Sequence, residues 1–174
     1  MDKINEIKNY LQENSVDAAF ITTPDNVFYV SGFRSEPHER LLGVMIFKEA
    51  EPFVICPLME VPDLKASGWT SEAVGHQDTE DAWEVLASAA VKRNIPLKNI
   101  AIEKSHLTVE RLERMEHLFE GAAFNRLDEQ LNKMRNIKSE DIRLIYLPAN
   151  SDVRADILWH SVTVWLNGAG TSEH

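Results

Sequence analysis

Hydrophobic positions change period repeatedly along this chain, and each change predicts an element. Ile4, Ile7 and Leu11 fall at i, i+3 and i+7, one stripe of a helix that Asn14-Ser15 ends. Residues 16–22 (VDAAFIT) read as a short buried strand. Thr23-Pro24-Asp25 opens a short helix, with Thr23 as its cap and Pro24 at the first helical position, and Ser31-Gly32 closes it. Residues 33–40 form a polar loop. Two apolar runs, 41–48 and 52–57, are separated by Glu49-Ala50-Glu51, which is hairpin spacing. Residues 58–67 read as a helix with Pro62 near its start, and 72–75 as a short strand.

The clearest helix is 78–94. Asp78 is its expected cap, and Glu80, Asp81 and Glu84 crowd the first turns, where the helix dipole favours acids. Trp83, Leu86, Ala87, Ala90 and Val91 make its apolar face, and Lys92 and Arg93 sit at its end. Residues 99–103 (NIAIE) read as a strand. Thr108 caps a helix with a buried face of Val109, Leu112, Met115, Leu118 and Phe119, ending at Gly121. Residues 122–127 form another strand, and Asp128 opens a last amphipathic helix carrying Leu131, Met134 and Ile137. Strands alternating with helices, with one hairpin among them, predict an α/β domain: a mixed sheet with helices on both faces.

Composition narrows the function classes. The 44% apolar and 26% charged fractions of the 174 residues exclude a disordered, collagen-like or disulfide-scaffold chain. A net charge of −10 disfavours nucleic acid and anionic membrane as partners, since both select basic patches. The lone cysteine, Cys56, lies in an apolar run and reads as a small buried hydrophobe. The longest apolar stretch, 41–47, is far below the ~18 residues of a spanning helix, and the N-terminus has no apolar signal-peptide core. A soluble, cytoplasmic protein is the expectation.

Much familiar chemistry is missing from the sequence. It contains no phosphate-binding glycine loop, no G-x-S-x-G turn, and no H-x-x-x-H or H-E-x-x-H metal motif. Glu110, Glu113 and Glu116 alternate with Arg111 and Arg114 and read as a solvated helix face. The unusual segment is 25–40. Its loop displays Arg34, His38 and Arg40, and loops between core elements are where binding residues gather. Arg40 could grip a carboxylate by two parallel hydrogen bonds, and His38 could exchange a proton near neutral pH. The structural alternative is a solvated loop with Arg40 paired to Glu36 or Glu39.

The run Asp25-Asn26-Val27-Phe28-Tyr29-Val30-Ser31-Gly32-Phe33, followed by Pro37-His38-Glu39-Arg40-Leu41-Leu42, resembles the N-terminal domain of the Xaa-Pro dipeptidase (prolidase), aminopeptidase P and creatinase family. Residues 52–57 resemble that family's second hairpin strand, and 99–103 its I-G-[IV]-E strand. Met134-Arg135-Asn136-Ile137-Lys138-Ser139-Glu140 resembles the family's run into the catalytic domain. The resemblance covers residues 1–145. It implies a ribonuclease H-like fold for residues 1–130, a linker helix over 131–145, and a role in homodimer formation. It further implies that His38 and Arg40 reach the neighbouring subunit's active site, with Arg40 binding a substrate carboxylate. In the family an Xaa-Pro peptide is cleaved in a following domain that holds two divalent metals, Mn or Co. No metal or other cofactor is expected in this chain.

Residues 146–174 depart from the pattern. Ser139-Glu140-Asp141-Ile142 is one residue short of the family spacing, and Tyr146-Leu147-Pro148 breaks the expected helix. Every lysine lies at or before Lys138, while Trp159 and Trp165 both fall in the tail. Asp152 and Asp156 have no accompanying His-Glu-Glu set, so the expectation is a chain without peptidase activity of its own. A frameshift near codons 140–146 is the expected cause, and the downstream DNA tests it. The alternative reading is a stand-alone α/β ligand-binding or regulatory module.

Overall fold

The computed structural model describes residues 3–136. In chain order the elements are α1 (Lys3–Glu13), β1 (Ala18–Ile21), α2 (Pro24–Ser31), β2 (Gly43–Phe47) and β3 (Phe53–Pro57). A short 3-10 turn (Leu58–Glu60) leads into α3 (Val61–Ala66) and β4 (Glu72–His76). Then come α4 (Ala82–Val91), β5 (Asn99–Ile102), α5 (Val109–Leu118), β6 (Ala123–Arg126) and α6 (Asp128–Asn136). Residues 137–174, which hold most of the expected linker helix and all of the atypical tail, lie outside the described residues.

The sheet has the order β4-β3-β2-β1-β5-β6. β1, β2 and β3 pair antiparallel, and β4, β5 and β6 each join in parallel. The central strands are buried on both faces, so they read in sequence as continuous apolar runs instead of alternating ones. Their side chains nevertheless divide by the two-residue period. Ala19, Ile21, Val44, Ile46, Val54 and Cys56 face a core shared with α1, α2, α3 and α6. Phe20, Met45, Phe47, Phe53, Ile55 and Ile102 face the other, shared with α4 and α5. The fold is therefore the expected mixed α/β sheet with helices on both faces. Within α6, Leu131 and Met134 are buried in the first core.

Four local expectations are corrected. α4 begins at Ala82, and its cap is Asp81, which accepts the N–H groups of Trp83 and Glu84 at 3.0 and 3.4 Å. Asp78 lies outside the helix, in a turn that the Glu80 N–H closes on the Gln77 carbonyl at 3.1 Å, and its carboxylate is engaged by Arg40. Thr23 makes no side-chain cap to α2, and its own N–H is taken by Glu103. Val91 and Val109 are 65% and 72% exposed. Each sits in a terminal turn, where periodicity still assigns a face that no neighbouring element reaches to cover.

Gly43 marks a close approach at the start of β2. A Cβ there would fall 2.5 Å from the Phe20 ring and 3.0 Å from the Ile21 carbonyl oxygen. No helix among the described residues is long and apolar enough to cross a membrane.

Burial, with the Glu60 charge as a smaller cause, pushes the Cys56 thiol up to about 12. A thiol raised in the folded state favours folding fully below its unfolded value, and that contribution is lost as pH rises towards the folded value. Two outcomes are expected. Cys56 stays unreactive towards a disulfide reagent at pH 8 until urea unfolds the protein. Stability also declines from about pH 9 upwards, and a Cys56→Ala variant shows less of this decline. Urea titrations across pH check the second outcome.

Candidate functional site: the loop after the second helix

Gly32 ends α2 in the left-handed conformation, φ 77°, and its N–H returns to the Phe28 carbonyl at 2.8 Å. The chain then runs into the 33–42 loop. Buried Phe33 roots it, Arg34 lies 4.3 Å over the Phe28 ring, and the Ser35 hydroxyl donates to Glu60 Oε2 at 2.6 Å. A tight turn follows, closed by the Arg40 N–H donating to the Pro37 carbonyl at 3.0 Å. His38 sits in this turn at φ 54°, a left-handed conformation that costs a non-glycine residue about 1–2 kcal/mol.

Three contacts hold the far half of the loop. Arg40 donates Nε and Nη2 to the two oxygens of Asp78 at 2.9 and 3.2 Å. Arg111 Nη2 donates to the Glu39 carbonyl at 3.2 Å. Buried His76 donates Nε2 to the Leu41 carbonyl at 2.9 Å. Beside these contacts lies a groove of about 1160 Å³ whose lining includes Arg40, Asp78, Trp83, Arg111, Arg114 and His117. Its guanidinium groups are engaged: Arg40 with Asp78, Arg111 with the Glu39 carbonyl, and Arg114 with Asp81 and Glu84. Exposed His38 and Arg34 are not part of the lining, so only Arg40 of the three loop candidates reaches the groove. The partner of Arg40 is Asp78, not Glu36 or Glu39. The turn brings Arg40 back to the β4–α4 connection, a neighbour distant in sequence.

A second polar constellation lies where β1 and β5 end. Glu103 is 2% exposed, yet its carboxylate accepts three hydrogen bonds. Oε2 takes the N–H groups of Thr22 and Thr23 at 2.5 and 2.8 Å, and Oε1 takes Asn26 Nδ2 at 2.5 Å. The Asn26 carbonyl oxygen in turn accepts from Arg135 Nη1 at 2.9 Å. Three residues along α2, the Tyr29 hydroxyl donates to the Met134 carbonyl at 3.1 Å. Burial first, then Glu6, pushes the Tyr29 hydroxyl above its ordinary value against an opposing pull from Arg135, so it keeps the proton it donates. Among the described residues no group of three or more His, Cys, Asp or Glu is placed to hold a metal ion. The two metals implied by the resemblance therefore have no fitting donor set in this region.

A family model, the creatinase/prolidase N-terminal domain, matches residues 3–137. The chain belongs to this family. It is 43% identical over 146 residues to "Putative dipeptidase YkvY" of Bacillus subtilis, covering 83% of this chain and 40% of that protein. It thus spans about two-fifths of the length of the curated relatives it matches. Among solved structures it resembles a proline dipeptidase from Streptococcus pneumoniae, with TM-score 0.75 and 29% identity, covering 79% of this chain and 100% of that one. It also resembles the N-terminal domain of an Xaa-Pro dipeptidase from Lactobacillus brevis, with TM-score 0.73 and 28% identity, covering 76% and 99%.

In this creatinase/prolidase N-terminal domain, three segments quoted for the resemblance each send one polar side chain to the same place. They are Asn26, Glu103 and Arg135. Sequence reasoning singled out none of them as a site. The available signal was Glu103 itself: a carboxylate closing the apolar run Ile100-Ala101-Ile102 must find buried donors or leave the core. Its donors, 77 to 81 residues away, gave no local sign.

Proposed function

We propose that this domain is the N-terminal, dimer-forming and substrate-gating part of an Xaa-Pro dipeptidase or aminopeptidase P-type metallopeptidase. The observation that carries this reading is the grip of Arg40. From a loop held at three points, its guanidinium takes a carboxylate in the two-point geometry that a peptide's terminal carboxylate would present. Its present partner does not bar that use. Arg40 and Asp78 side chains are 37% and 70% exposed, and exposed pairs contribute only about 0–1 kcal/mol. An incoming carboxylate can displace Asp78 at little cost. His38, held two residues before Arg40 by a costly turn, is the second residue offered to a neighbouring subunit.

On this reading the two divalent metals and the hydrolytic chemistry belong to a catalytic domain, and the described residues supply shape and the Arg40 contact. Two measurements test it. Light scattering of the purified chain is expected to give a dimer, and a monomer at all concentrations counts against the dimer-forming role. In a two-domain enzyme carrying this domain, Arg40→Ala is expected to raise KM for an Xaa-Pro substrate about tenfold with kcat nearly unchanged. An unchanged KM removes Arg40 from the substrate.

The groove beside Arg40 favours a second reading, a module that binds a small carboxylate within one chain. The cations such a ligand would meet are Arg40, whose pair with exposed Asp78 is displaceable, and Arg111, whose Nη2 is bonded to a neutral carbonyl. Calorimetry of the purified chain with short carboxylates separates the two readings.

A further inference from the structure

α6 is bound to α2 at two adjacent points. Arg135 donates to the Asn26 side chain, and the Tyr29 hydroxyl donates to the Met134 carbonyl. Asn26 is itself held by Glu103 at the end of β5, which also holds the backbone entering α2. The polarity of this chain of bonds leaves one arrangement. A carboxylate only accepts and a guanidinium only donates, so the residue between them must donate on one side and accept on the other. The amide of Asn26 does both. Its orientation is dictated by both partners, and flipping it would set donor against donor at Arg135 and acceptor against acceptor at Glu103. The buried end of this relay is anchored to the sheet through Glu103, and α2 at its other end opens through Gly32 into the loop that carries Arg40.

We propose that Asn26, Glu103 and Arg135 form a joint that fixes the direction of α6 on the body of the domain, and so holds α6 and the Arg40 loop in one register. Apolar packing alone does not do this. Leu131 and Met134 bury one stripe of α6, and a stripe of non-directional contacts lets a helix slide and swing. The directional bonds at Arg135 and Met134 remove that freedom. The inference deepens the proposed function: a gating loop acts on a site elsewhere only if the domain holds it at a set position relative to the helix that leads onward. Arg135 and Asn26 are positioning residues in this scheme.

The test uses the 174-residue chain. Cys56 is buried with its thiol pushed up, so spin labels attach to introduced cysteines. Labels at Asn132→Cys on α6 and Glu36→Cys in the loop report one distance, and Asn132→Cys with Glu49→Cys reports α6 against the sheet; all three positions are exposed. Electron–electron resonance is expected to show narrow distributions for both pairs. Arg135→Ala is expected to broaden both about twofold while α6 amides remain protected from exchange. Arg135→Lys, which keeps one donor, restores most of the narrow form. Lys133→Ala, an exposed change on the same helix, leaves both unchanged. Superimposable distributions in Arg135→Ala overturn the joint, as does equal broadening by Lys133→Ala. Loss of α6 amide protection also overturns it, because Arg135 would then be a plain stabiliser. No substrate enters these measurements, so a failed KM test for Arg40 and a failed distance test are separate results.

Discussion

Glu103→Ala is expected to cost about 4 kcal/mol and to lower the melting temperature by roughly 15 °C. The cost comes from what is left behind. Thr22 N–H and Asn26 Nδ2 are buried donors, and Thr23 N–H is half-buried; all three lose their acceptor together. A carboxylate bonded to several donors contributes more than neutral bonds do, and an unsatisfied buried donor costs about 1–3 kcal/mol. Alanine also leaves a small void at the junction of β1, β5 and α2. Glu103→Gln is the informative companion. Its carbonyl oxygen can keep the two backbone donors, but its amide nitrogen then faces Asn26 Nδ2. Asn26 must flip, which turns its own nitrogen towards Arg135. The glutamine variant is therefore expected to lose about half as much, around 2 kcal/mol, and to release Arg135. Urea unfolding of both variants checks the order. Near-wild-type stability for Glu103→Ala would show that water replaces the carboxylate without cost.

Arg93→Ala carries the second large effect, about 3 kcal/mol in the same assay. Read in sequence, Arg93 is an end-of-helix cation of the kind the dipole favours. In the fold its side chain is only 10% exposed. It pairs with Glu72 at 2.6 Å, donates to the carbonyls of Ala89 and Glu51 at 3.1 and 3.3 Å, and lies 5.6 and 4.8 Å from the ring centres of Phe47 and Phe53. It therefore ties the end of α4 to the β2–β3 hairpin and to β4 at once. Removing it takes the donor from the part-buried Ala89 carbonyl, takes the cation from two aromatic faces and uncovers the edge of the second core. Arg93→Lys is expected to recover less than half of the loss, since an ammonium cannot fork to several acceptors as the guanidinium does. If lysine restores full stability, the charge alone suffices and the forked hydrogen bonding contributes nothing.

These two residues show how far the sequence was legible. The position and type of each described helix and strand followed from period and from turn residues. That signal is local, because an apolar stripe or a buried run is written into consecutive positions. Element ends were less legible. Asp78 and Asp81 are equivalent caps by composition, but Asp78 falls in the turn closed by Glu80 on Gln77, and the helix starts after Asp81. Burial at helix ends was missed as well. Val109 has the right period, but it is left 72% exposed.

The loop candidates divide along the same line. Arg40 was legible as a carboxylate grip from its type and setting, and the fold gives it a carboxylate in that geometry. Its partner was not legible, because Asp78 is 38 residues away. His38 was legible as a candidate, while its left-handed backbone came only from the closed turn.

By itself, then, the sequence determined the α/β class, the alternation of elements, the two-sided burial of the central strands and the family. All of these rest on patterns of neighbouring residues and on the order of short motifs. The tertiary structure alone decided which charges meet. Asn26, Glu103 and Arg135 lie in three separate motifs, and nothing in any one of them names the other two. They converge because β1 and β5 pair in parallel, which brings the start of α2 beside the end of β5, and because the apolar stripe of α6 brings Arg135 to Asn26. A buried carboxylate must be satisfied, and the partners that satisfy it are set by the sheet's pairing order, which no local pattern encodes.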